Sequence, residues 1–64
     1  MIRIDFRDIL YIEGQSEYAR IFRENQPPVM TLLSLKAIEE RLPTNRFMRV
    51  HRSYIVHLDK VKEV

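Results

Sequence analysis

Arg49, His51, Arg52 and Ser53 bring two guanidinium groups, an imidazole and a hydroxyl into five consecutive positions. A guanidinium donates in a planar fork, an imidazole donates or accepts, and a hydroxyl does both. Together they suit phosphate oxygens, and an arginine fork also matches the edge of guanine in a major groove. Their surroundings point the same way. No acid stands between Glu40 and Asp59, whereas Arg41, Arg46, Arg49 and Arg52 all fall in that gap. The chain has 11 Lys/Arg; the seven outside the gap face nine Asp/Glu, so the formal +2 resides in this one segment. A local basic excess beside apolar residues is the footprint of a phosphate-contacting surface. The same arginines would equally solvate one face of a fold, and Arg49 could be held by Glu13 or Glu17 in an ion pair.

Other chemistries fit less well. His51, His57 and Asp59 match neither a one-face helical pair nor a zinc spacing, and no metal site is expected. Ser53, His51 and Asp59 supply the residue types of a nucleophilic triad, but no glycine turn near them could hold an oxyanion. A chain this short also has little room for a pocket of even ~300 Å³. Glu39 and Glu40 read as a solvated helix surface. The single glycine rules out a Gly-rich phosphate cradle, and nothing calls for a cofactor. The reading is a binding module and not an enzyme.

The elements that must position these groups follow from periodicity. Ile2, Ile4 and Phe6 alternate with Arg3, Asp5 and Arg7, which predicts a half-buried strand. Ile9, Leu10, Tyr11 and Ile12 form an apolar run that predicts a strand covered on both faces. Gly14, Gln15 and Ser16 predict a turn, and residues 17–24 alternate as a further strand. Asn25, Gln26, Pro27 and Pro28 read as a connection, because prolines lack a ladder donor. Residues 29–33 follow as a short strand. Ser34 is placed as the N-cap of a two-turn amphipathic helix whose apolar stripe is Leu35, Ile38 and Leu42, ended by Pro43. Residues 47–50 and 54–58 predict two more strands, with His51, Arg52 and Ser53 projecting from the break between them. Tyr54, alternating with Val56 and Leu58, is expected in the core. The His51 imidazole is expected to hold the break together, to face a ligand, or both.

Sixty-four residues make one domain at most, and one of this size buries only about 60% of its unfolded surface. With 45% hydrophobic residues and no cysteine, the core is thin and has no disulfide to support it. No apolar run approaches the ~18 residues that cross a bilayer. The N-terminus lacks a signal-peptide core, so a cytoplasmic setting without a membrane is expected.

Four pieces in order resemble the LytTR DNA-binding domain, the output module of many bacterial two-component response regulators. Asp8, Ile9, Leu10, Tyr11, Ile12 and Glu13 resemble its D-I-x-Y-I-E strand, with Tyr18 at its next aromatic position. Ser34, Leu35, Glu39 and Leu42 resemble its S-L-x-x-x-E-x-x-L helix. Phe47, Arg49, His51, Arg52, Ser53, Tyr54 and Val56 match its F-x-R-x-H-R-S-Y-x-V signature. The resemblance spans nearly all of residues 1–64. It implies a mainly β domain of short antiparallel sheets with one small helix, in which loops enter successive grooves of double-stranded DNA to regulate transcription. It carries DNA contact onto His51 and Arg52; by its own chemistry Arg49 would support them by charge, and Ser53 would add a neutral donor. The loop after Glu13 would be a second contact, through Gln15, Ser16, Tyr18 and Arg20.

The sequence departs from the family in two ways. Asn usually stands where this chain has His57, so that amide's hydrogen bond must be replaced or lost. Family domains also run past Val64 through strands carrying a third basic loop, so a partial domain is expected, of weak DNA affinity if the chain is complete. An incomplete sheet leaves an unpaired edge, which gives the alternative expectation of a self-association module forming homo-oligomers through that edge.

Overall fold

A computed structural model describes residues 4–60. Five strands form one antiparallel sheet: β1 (Ile9–Gln15), β2 (Tyr18–Arg23), β3 (Gln26–Thr31), β4 (Phe47–His51) and β5 (Tyr54–His57). Their order across the sheet is β3-β2-β1-β5-β4. The helix α1 (Leu35–Glu39) packs on one face, so the architecture is mainly β with one short helix. The strands join into one sheet among the described residues, not several short ones.

The register decides which residues meet the helix. Ile12 pairs with Ile21 on β2 and Ile55 on β5, placing these on the face α1 covers. Ile12 and Ile55 are the largest fully buried side chains, and Ile9, Ala19, Leu35, Ile38, Leu42 and Phe47 complete the core. Burying each of the large apolar side chains contributes about 1.5–3 kcal/mol. Leu35 and Ile38 of the expected stripe lie within the helix, while Leu42 reaches the core from just beyond it. Ser34 is the N-cap, its Oγ accepting from the Ala37 amide at 3.2 Å. Five residues cannot sustain an isolated helix; docking on the sheet holds it.

The run Ile9, Leu10, Tyr11 and Ile12 is covered on one face only. A register shift between Ile9 and Tyr11 inserts an extra residue on β1, so Ile9 and Ile12 both turn inward although three positions apart. Tyr11 lies on the open face, 37% exposed, stacked on Phe22 at 4.5 Å. Tyr54 shares that face and is not in the core; its hydroxyl donates to Glu13 Oε2 at 3.0 Å.

Pro27 and Pro28 lie within β3, not in a connection; the turn before them is Glu24 and Asn25. An edge strand tolerates missing donors on its outer side, and a register shift between Ile21 and Arg23 marks the irregularity. Asn25 takes the positive φ of 58° that this residue type tolerates. Of the expected first strand, residues 1–3 lie outside the described residues. Phe6–Asp8 forms a single 3₁₀ turn instead, capped by Asp5, whose carboxylate accepts from the Arg7 amide at 2.9 Å. At the other terminus, Leu58–Lys60 forms a 3₁₀ turn, and the alternation expected over residues 61–64 lies outside the described range.

His57, where the family usually has Asn, makes a buried hydrogen bond of its own. Its ring is buried, stacked on Phe47 at 4.6 Å, and Nδ1 lies 2.8 Å from the Ile9 carbonyl. A carbonyl only accepts, so Nδ1 carries the proton and ties β5 to the start of β1. Nε2 faces the Asp59 carboxylate at 3.5 Å and makes no hydrogen bond.

Gly14 is a strand residue and not part of the turn. A Cβ at this position would lie 2.5 Å from Leu35 Cγ and 2.7 Å from its Cδ1, closer than carbons pack. The glycine therefore sets how near α1 comes to β1. Gly14→Ala should lower stability by about 1–3 kcal/mol through overpacking. Urea unfolding would show a lower midpoint with unchanged slope, whereas an unchanged midpoint would mean that Leu35 does not depend on this gap.

Candidate nucleic-acid interface

Antiparallel pairing of β1 with both β2 and β5 brings two tight turns to one end of the sheet. Ser16 and Glu17 join β1 to β2 where Gln15 pairs with Tyr18; Arg52 and Ser53 join β4 to β5 where His51 pairs with Tyr54. Glu13 pairs with Tyr54, so the turns are neighbours, and the Gly14 amide donates to the Ser53 carbonyl at 2.7 Å. Ser16 holds a positive φ of 32°, a conformation two-residue hairpin turns demand and non-glycine side chains disfavour.

The basic turn is fixed from below by Arg49. A register shift between Arg49 and His51 gives β4 an extra residue, and Arg49 pairs with Ile55 on the helix-covered face. Its guanidinium donates to the Arg52 carbonyl at 2.7 Å and to the His51 carbonyl at 3.4 Å. Nη1 lies 3.6 Å from Glu39 Oε1 on α1. The ion-pair partner is thus Glu39, not Glu13 or Glu17: those two belong to β1 and its turn, while Arg49 points toward the helix. Arg49 spends its donors on the turn and positions Arg52.

Arg52 is exposed, and its guanidinium has no ion-pair partner among the described residues. His51 is exposed too. Its Nδ1 accepts from the Ser53 amide at 3.1 Å, which in the neutral ring places the proton on Nε2 as an outward donor. The imidazole therefore holds the turn and still offers a donor.

Between the turns lies an open cleft of about 270 Å³. Gln15, Ser16 and Tyr18 line one side; Arg49, Arg52 and Ser53 line the other. Six of the eight residues singled out in the sequence thus meet at one feature. His51 stands beside it on the basic turn, paired with Tyr54. Arg20 does not join it: it pairs with Glu13 and Met30 on the sheet face opposite α1. The remaining wall, Ser34, Leu35 and Lys36, escaped the sequence reading. The stripe of Leu35 and Ile38 leaves Lys36 on the outer side of the helix, but only the topology places the helix start beside these turns. Glu17 is the one acid in either turn.

Comparison with known proteins bears on the same residues. The LytTr DNA-binding domain profile matches residues 1–64. The CO-responsive transcriptional regulator RcoM of Rhodospirillum rubrum is 37% identical over 62 residues, covering 92% of this chain and 25% of that protein. The sensory transduction protein LytT of Oceanobacillus iheyensis is 33% identical over 64 residues, covering all of this chain and 26% of that protein. The chain thus spans about a quarter of the length of the curated relatives it matches. Among solved structures, the LytTr DNA-binding domain of a methyl-accepting/DNA response regulator from Bacillus cereus superposes with a TM-score of 0.87 at 29% identity. The alignment covers 97% of this chain and 56% of that one.

Tyr54 braces the basic turn against β1, and its ionisation reports on the brace. The hydrogen bond to Glu13, and then the charge of that carboxylate, raise the Tyr54 phenol above the ordinary tyrosine value. The folded state favours the protonated phenol. The resulting stability is present below the unfolded tyrosine pKa and lost as pH rises through the higher folded value. An ultraviolet titration of the three tyrosines should show one late step that Tyr54→Phe removes and Glu13→Gln moves down. A late step that survives Glu13→Gln unchanged would refute the brace.

Proposed function

Because the chain belongs to the LytTR DNA-binding family of bacterial transcriptional regulators, we propose that it binds double-stranded DNA sequence-specifically through the end of the sheet that carries the two turns. The observation that carries this is the cleft: residues from both turns meet there, and among the described residues no carboxylate lines it. Arg52 and His51 are the groups that engage DNA, and Arg49 presents them. Gln15, Ser16 and Tyr18 enter the adjoining groove, and Ser53 adds a neutral donor. Arg20, on the open face, contacts DNA only where the duplex wraps past the β1–β2 hairpin. The family supports a DNA-binding role and not a catalytic one. Within a longer cytoplasmic regulator, a two-component response regulator among them, the chain acts as the output domain.

A second reading draws on the sheet edges. β3 is blunted by Pro27 and Pro28, whereas the outer edge of β4 has no neighbouring strand among the described residues. That edge exposes Met48 and Val50, at 55% and 56%, and has the character of a surface that pairs with a second copy. Sedimentation across a concentration series separates the readings: a monomer at every concentration removes self-association and leaves the first reading untouched.

Fluorescence anisotropy with duplex DNA across a salt series tests the first reading. Affinity should fall steeply with salt, its slope giving the number of phosphates engaged. Arg52→Ala should weaken binding by about 1–3 kcal/mol if the fork reads a base, or lower the slope by about one if it holds a phosphate. Absence of binding at low salt by the folded chain would overturn the reading.

A further inference from the structure

Two turns at one end of a sheet leave a gap, and the gap has a chemistry of its own. The two hairpins are centred two strand spacings apart, roughly 10 Å. A major groove is about 12 Å wide and a minor groove about 6 Å, and one sugar–phosphate strand separates them. Turns that enter adjoining grooves must therefore straddle that strand, which then runs over the cleft between them.

The cleft is built to receive it. Its floor is the contact of Gly14 with Leu35, and α1 closes it with Ser34 and Lys36. Lys36 is exposed and in no ion pair among the described residues, facing a cleft whose other wall carries the uncommitted Arg52. Glu39, the acid nearest along the helix to engage this wall, is already held by Arg49. Ser34 Oγ uses a lone pair on the Ala37 amide, which leaves its O–H to donate. A compact ammonium, a guanidinium and a hydroxyl around one opening match a single tetrahedral anion better than a flat base edge.

We propose that this cleft clasps one backbone phosphate of the strand between the two grooves, with Lys36 as its anchoring charge opposite Arg52. This rests on the DNA-binding reading and adds a contact from the helix, which neither turn supplies. Lys36 is a positioning contact: it sets where the turns fall along the duplex and carries no base preference.

The test begins with a duplex enriched by the chain from a random-sequence library. Each phosphate of that duplex is replaced in turn by an uncharged methylphosphonate. For the wild-type chain, one replacement between the two contacted grooves should weaken binding about tenfold, the scale of a single charge-assisted contact. Lys36→Met, which keeps the aliphatic stem, should lose a similar factor on unmodified DNA and become insensitive at that one position. It should keep the sensitivity at every other phosphate and the base preference of the wild type. A variant that binds as the wild type, or stays sensitive at the same phosphate, overturns the proposal while leaving DNA binding intact. Failure of the wild-type chain to enrich or bind any duplex overturns both.

Discussion

The approach of Leu35 to the Cβ-less Gly14 governs how this molecule is put together. Any other residue at that point of β1 would hold the helix off the sheet. Contact there seats the Leu35–Ile38 stripe on Ile12 and Ile55, which closes the thin core. The same contact brings the helix start to the end of the sheet where both turns emerge. Core packing and the shape of the candidate DNA surface therefore have one origin, and a change that loosens one displaces the other.

Charge is divided with similar economy. Arg7, Arg46 and Arg49 have acidic partners in Asp5, Asp59 and Glu39. Arg49 also spends donors on the carbonyls of the basic turn, trading a direct contact for a fixed one. Arg52 and Lys36, like Arg20 and Arg41, are in no ion pair among the described residues, and Arg52 and Lys36 both line the cleft. Exposed pairs such as Arg46–Asp59 contribute little stability on their own.

Local signals in the sequence carried much of this. Alternation over β2 and the Ser34 cap each correspond to a structural feature for the expected reason. The departures come from position within the sheet, which no local pattern encodes. Pro27 and Pro28 suit a strand because β3 is an edge. Ile9 and Ile12 both face inward because a bulge separates them, and Tyr54 faces outward because Ile55 beside it pairs with Ile12 on the covered face. Gly14, read as a turn signal, answers to a leucine 21 positions away. The two turns were legible as candidates, but Lys36 was not, since its place beside them depends on the path from β3 into the helix.

Amide chemical-shift mapping by NMR, with a labelled chain titrated by the enriched duplex, tests most directly whether this end of the sheet is the DNA-binding surface. The account predicts that shifts concentrate at Gln15, Ser16 and Tyr18, at Ser34 and Lys36, and at Arg52 and Ser53. The amides of Glu24, Asn25 and the Leu58–Lys60 turn, at the far end, should stay in place. Shifts centred on that far end, or on the open face around Tyr11 and Phe22, would contradict it.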